Sequence, residues 1–121
     1  MSLIVIIDDQ ITNRRIYSRL AASLVADAEV KSFADPIKAL EWSKDNIPDI
    51  VISDFKMGTM NGAAYTAAFR AQPGCEDVPV IIVTAYEDKT FRYQALDAGA
   101  TDFITSPVDG REFGTRLRNL L

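Results

Sequence analysis

Five short runs of apolar, mostly β-branched residues recur along the chain, and a stretch with helical spacing follows each. The runs occupy residues 3–8, 29–33, 50–54, 80–84 and 102–105 and predict strands. The first, third and fourth are nearly continuous Val and Ile, the pattern of strands covered on both faces in a parallel sheet. The first helix is predicted over about 12–25, with Ile16, Leu20 and Leu24 four apart on one face. The second opens at Asp35-Pro36, a capping carboxylate followed by a proline in the first turn, where a missing N–H costs little. The third covers about 63–71 and carries Tyr65 and Phe69 four apart. The fourth covers about 89–98 and stops at Gly99, a residue suited to a left-handed terminator. The fifth starts near residue 110, runs to the end and is expected to bury Phe113, Leu117 and Leu120. No linker, repeat or low-complexity tract interrupts the series, so residues 1–121 read as one domain.

Strict β-α alternation implies an α/β, doubly wound parallel sheet with right-handed crossovers and helices on both faces. For a (βα)5 chain this favours the flavodoxin-like order 2-1-3-4-5, in which ligands sit outside the carboxyl ends of strands one and three. Composition narrows the chemistry. With 48% hydrophobic and 25% charged residues the chain has a globular balance, and 121 residues can enclose a core without staples. The single cysteine, Cys75, cannot form an internal disulfide, which fits a reducing compartment. No run approaches the ~20 apolar residues that span a bilayer, and no signal-peptide pattern is present, so a cytoplasmic location without a membrane partner is expected. Thirteen basic against seventeen acidic residues give a net charge of −4, which argues against direct nucleic-acid binding. The absence of histidine excludes Ser-His-Asp triads, Cys-His pairs and the usual zinc sites within these residues.

The strand ends carry what chemistry remains. The first strand ends in Asp8-Asp9 and the third in Asp54, so the expected order brings three carboxylates to one edge. Like charges packed together repel and raise at least one pKa unless a counter-ion joins them. Hard oxygen donors without imidazole or thiolate favour Mg²⁺ or Mn²⁺ over zinc. Taken singly, Asp9 reads equally as a cap for the first helix and Asp54 as the start of a loop. Strand four ends in Thr84-Ala85 at the same edge, where a hydroxyl can donate to an anionic oxygen and a small neighbour leaves room for it.

Joint order and spacing then produce a family resemblance over essentially the whole chain. Asp8-Asp9 is followed by Asp54, Met57, Met60 and Gly62 in an Asp-x-x-Met-x-x-Met-x-Gly pattern, then by Thr84-Ala85, by the run from Ala95 to Phe103, and by Pro107. This resembles the receiver domain of bacterial two-component response regulators. The resemblance implies that Asp54 accepts a phosphoryl group from a histidine kinase or phosphotransfer protein. Mg²⁺ would be held by Asp9, Asp54 and the backbone carbonyl of Lys56, with Asp8 acting through water. Thr84 would move to bond a phosphoryl oxygen, Phe103 would turn inward as the aromatic switch, and Pro107 would follow a cis peptide bond. The domain would not be an enzyme in its own right, although it assists its own phosphorylation and dephosphorylation. The face made by helix four, strand five and helix five would report the state and would also serve for homodimers, with Asp102 and Arg116 where charges pair across them. The stretch from Arg92 to Leu121 is most similar to receivers joined to cyclic-dinucleotide phosphodiesterase outputs of the HD type, and no output domain is expected within the 121 residues.

Two positions depart from the family pattern. The lysine normally found before the cis proline is replaced by Ser106, which removes a charge-assisted contact to the acyl phosphate. Gly58 stands where a proline usually follows the first methionine, which frees the loop after Asp54. Lys56, two residues past Asp54, is a candidate for restoring the charge, set against the plain alternative of a solvated loop lysine. Two functions therefore compete: a phosphorylation-driven switch, and a receiver-like docking module that works without phosphorylation. An aspartyl phosphatase fits poorly because the aspartates are adjacent rather than Asp-x-Asp. Flavin or nucleotide binding fits poorly because no glycine-rich phosphate loop is present.

Overall fold

The computed structural model describes residues 1–85 and 89–121. Its elements follow in strict alternation: β1 (Ser2–Ile7), α1 (Ile11–Leu24), β2 (Ala28–Phe33), α2 (Pro36–Ser43), β3 (Ile50–Asp54), α3 (Gly62–Arg70), β4 (Val80–Ala85), α4 (Lys89–Asp97), β5 (Asp102–Ser106) and α5 (Gly110–Leu120). All strand pairs are parallel and the order is β2-β1-β3-β4-β5. The three Val/Ile-rich strands are the central ones, as their composition required, while β2 and β5 form half-exposed edges.

Side chains alternate between two cores. Val5, Ile7, Val51, Val80 and Ile82 meet Ala39, Tyr65, Phe69 and Ala95 from α2, α3 and α4. Ile4, Ile6, Ile50, Ile52, Ile81 and Val83 meet Tyr17, Ala21, Phe113 and Leu117 from α1 and α5. Each such side chain removed from water contributes about 1.5–3 kcal/mol before entropy is counted, so the strand ends stand on the best-buried part of the molecule.

The helices start and stop as their chemistry dictates. Asp35 caps α2 by accepting from the Ile37 N–H, and Asn61 caps α3 by accepting from Ala64 at 2.8 Å. Gly99 follows α4 with φ of 105°, the left-handed stop expected there. The predicted buried row on α1 is corrected. Ile16 is 47% exposed, while Tyr17 and Ala21 are buried with Leu20 and Leu24 beside them. A row taken every fourth residue drifts around a helix of 3.6 residues per turn, and the stripe facing the sheet is the 17, 20, 21, 24 set. Leu120 is half-buried, not buried. Asp102 and Arg116 form an ion pair within the chain, and Arg116 also contacts Glu112 at 3.1 Å. Among the described residues no helix is long and apolar enough to cross a membrane.

Candidate functional site

Sheet register assembles the site. Ile7 lies beside Ser53, so Asp8, one residue past β1, comes alongside Asp54 at the end of β3. On the other side, Thr84 lies beside Thr105 and Ala85 beside Ser106. The strand carrying Asp54 also needs a close neighbour: a Cβ on Gly62 would approach the Asp54 carbonyl oxygen to 2.8 Å, and the Gly62 N–H donates to the Phe55 carbonyl at 2.7 Å. The glycine of the sequence pattern is thus the residue that lets α3 begin against the strand carrying Asp54.

Asp8, Asp9 and Asp54 each place a carboxylate oxygen within 4.8 Å of the others. Asp8 is 1% exposed; its Oδ1 accepts from the Gln10 N–H at 2.9 Å, and its Oδ2 is buried with no hydrogen-bond partner among the described residues. Burial raises the Asp8 pKa above the usual carboxylate value, more than the Gln10 N–H lowers it. Asp54 Oδ1 accepts from its neighbour's N–H, that of Phe55, at 2.9 Å. Burial first, then the Asp8 charge, push the Asp54 pKa up to about 7. The same field reaches Tyr17 beneath the site, whose phenol is raised to about 12 by burial and then by Asp8 and Asp54. Asp9 is exposed and does not cap α1, because the cap position is Gln10 and it makes no side-chain cap bond.

A buried carboxylate oxygen without a partner among the described residues, the raised pKa values of Asp8 and Asp54 and an all-oxygen donor set fit a hard divalent cation, which would supply positive charge. Asp9 and Asp54 line a cleft of about 340 Å³ together with Gln10, Phe55, Lys56, Thr84, Ala85, Phe91 and Ser106. Thr84 is 2% exposed, and its hydroxyl lies 3.5 Å from the Ala85 carbonyl, a long contact readily exchanged.

Five of the sequence-predicted residues, Asp9, Asp54, Lys56, Thr84 and Ser106, therefore share one cleft, with Asp8 buried at its carboxylate wall. Two predicted switch residues lie outside its lining. Phe103 is half-buried against the α2–α3–α4 core, with the Arg92 guanidinium 4.7 Å from its ring centroid, and Pro107 follows a cis peptide after Ser106. Sequence reasoning missed Phe91. Its ring is 4.2 Å from that of Phe55, and the Lys56 ammonium lies 5.0 Å from its centroid. The signal was its place four residues before the fully buried Ala95, which put it on the inner face of α4 without showing how far that face reaches.

The response regulator receiver domain profile matches residues 4–118. The cyclic di-GMP phosphodiesterase response regulator RpfG of Xanthomonas campestris pv. campestris is 34% identical over 118 residues, 98% of this chain and 31% of that protein. This chain thus spans about a third of that relative's length, and 25% of the response regulator PleD of Caulobacter vibrioides, which is 33% identical over 97% of this chain. Among solved structures, the chemotaxis response regulator CheY4 of Vibrio cholerae superposes with a TM-score of 0.91 at 26% identity, covering 100% of this chain and 99% of its own. The receiver domain of the sensor histidine kinase PA1611 of Pseudomonas aeruginosa, with magnesium coordinated in its active-site cleft, superposes with a TM-score of 0.89 at 25% identity, covering 98% of this chain and 96% of its own.

Proposed function

The chain belongs to the response regulator receiver domain family, and from that premise we propose that it works in phosphorelay signalling by taking a phosphoryl group onto Asp54. The donor would be a phosphohistidine on a sensor histidine kinase or phosphotransfer protein. The observation that carries this reading is the three-carboxylate cluster with the buried, unpartnered oxygen of Asp8.

In this reading Mg²⁺, or Mn²⁺, would be held by Asp9, Asp54 and the backbone carbonyl of Lys56, with Asp8 acting through a water. When bound it neutralises charge on the acceptor and on the phosphoryl oxygens. The Asp54 carboxylate attacks phosphorus; an O–P bond forms as the N–P bond of the phosphohistidine breaks, and the leaving imidazole keeps the electron pair. Thr84 exchanges its long contact to Ala85 for a phosphoryl oxygen, and Ser106 donates one uncharged hydrogen bond. Phe103 follows Thr84, Pro107 shapes the loop behind Ser106, and the α4–β5–α5 face carries the change to a partner or a second copy. The domain is a phosphoacceptor, not an enzyme, and acts in the cytoplasm. Similarity to RpfG supports an output of the cyclic di-GMP phosphodiesterase kind in a longer chain, and the resemblance of the stretch from Arg92 to Leu121 suggests the HD type.

Ser106 favours one second reading, a docking module that works without phosphorylation. A small phosphodonor such as phosphoramidate, given with Mg²⁺ and read by intact mass, separates the two. The switch reading expects one added phosphoryl group on the wild type and none on Asp54→Asn. A wild type that takes up none supports the docking module, and equal uptake by Asp54→Asn points to another acceptor.

A further inference from the structure

We propose that Phe91 is a positioning residue that parks the Lys56 ammonium at rest and couples phosphorylation to α4, replacing the route that a lysine at position 106 would provide. The inference rests on the phosphoacceptor reading of Asp54. Among the described residues lining the cleft, Lys56 supplies the one cation, and the residue on β5 that faces the cleft is the uncharged Ser106. Lys56 is exposed, two residues past Asp54, and its charge is close enough to act on the Asp54 carboxylate. Its ammonium sits 5.0 Å from the Phe91 ring centroid.

Phe91 belongs to the first turn of α4 and is itself anchored on Phe55, the residue after Asp54, with ring centroids 4.2 Å apart. The loop after Asp54 and α4 are therefore joined at the cleft by a tilted aromatic contact and a cation held on one ring. The next residue, Arg92, donates to the Thr105 hydroxyl at 2.9 Å and covers the Phe103 ring. One turn of α4 thus touches the acceptor loop through Phe91 and the switch aromatic through Arg92.

A phosphoryl group on Asp54 brings almost two negative charges into this cleft. An exposed ammonium resting on a half-buried ring is held more weakly than one hydrogen-bonded to a dianion. Lys56 then leaves Phe91 for the phosphoryl oxygens, and α4 loses one of the ties to the loop seen among the described residues. The mobile end of a lysine supplies the charge, and the departure itself is what α4 senses.

The test uses the full chain with phosphoramidate and Mg²⁺, taking the phosphorylated fraction from intact mass and the response from NMR. At rest the Lys56 ε-methylene should be shifted upfield by the ring, and phosphorylation should abolish that shift. In Phe91→Leu the resting shift should vanish, and α4 amide changes per phosphorylated molecule should fall at least twofold. Phe91→Tyr, which keeps the ring, should restore both. Lys56→Met should reduce the α4 response to the same degree, which tests the contact from its other partner. Undiminished α4 responses in Phe91→Leu and Lys56→Met, with phosphorylation shown by mass, overturn this inference alone. No phosphorylation of the wild type overturns the phosphoacceptor reading and this inference with it.

Discussion

The two walls of the cleft are built differently. One wall is the carboxylate cluster, set at the ends of β1 and β3, whose preceding residues Ile7, Val51 and Ile52 are 0–1% exposed. The other consists of Lys56 on a loop, Thr84 at a strand end, Ser106 before a cis proline, and Phe91 on a helix. The first concentrates negative charge beyond what it can satisfy, and the second has no fixed cation to answer it. The contrast separates two tasks that a receiver combines. In the proposed function, cation binding and phosphoryl acceptance would depend on the rigid wall, whereas the transmission of that event would depend on the adaptable one.

Breaking the rigid wall should have the largest effect. Asp9→Ala removes an exposed carboxylate and should weaken Mg²⁺ binding by at least roughly tenfold, the scale of losses seen even when only supporting groups are removed. A Mg²⁺ titration followed by NMR checks this, and equal affinity in both proteins would remove Asp9 from the site.

Supplying a second cation to the adaptable wall, at the β5 position, should sharpen the contrast. Ser106→Lys adds an ammonium near the acyl phosphate, and a hydrogen bond to a charged group is worth about 1.5–3 kcal/mol. Partial exposure discounts that figure, but even 1.4 kcal/mol is about tenfold in the active-state population. Phosphorylation-dependent shifts at Thr84 and Phe103 should grow, while Mg²⁺ affinity changes little. If the shifts match those of the wild type, Ser106 is a tolerated replacement and the missing charge has no consequence.

The excess charge of the rigid wall should also appear in stability. The Asp54 pKa is raised to about 7 in the folded protein, against about 3.9 unfolded. The folded state therefore holds its proton more tightly, and without divalent cations stability should fall as pH rises from about 4 to about 7, then level off. Asp8 is shifted in the same direction and adds to the trend. Solvent screening at half-buried Asp54 reduces its share to on the order of 1–2 kcal/mol. Urea unfolding in a chelator across this range should show the decline, and Asp54→Asn should flatten it.

The smallest effect is expected far from both walls. Arg116→Glu breaks an exposed pair with Asp102 and should cost about 0.2–1 kcal/mol by urea unfolding. Because the two charges already satisfy each other within the chain, a large change in self-association from this variant would show that they exchange partners between copies.

Most of the rigid wall was legible in the sequence. Five apolar runs with helical stretches between them favour one strand order, and that order sets which ends meet, so Asp8, Asp9 and Asp54 could be brought together from the sequence. The cap at Asp35 and the stop at Gly99 were legible because they act over one or two residues. The adaptable wall was less so. That Lys56 rests on Phe91 depends on how α4 is set against the sheet, and no short-range pattern encodes that placement. The exposure of Ile16 was misjudged for a related reason, because a row of four-residue steps does not follow the line along which α1 meets β1 and β2.

The central claim is that Asp54, on the rigid wall, forms the acyl phosphate. Borohydride reduces an acyl phosphate of aspartate to homoserine, which marks the acceptor permanently. Wild-type protein treated with phosphoramidate and Mg²⁺, reduced and mapped by peptide mass spectrometry, should carry homoserine at position 54 and at neither Asp8 nor Asp9. Homoserine at position 8 or 9, or at no position, would contradict the account.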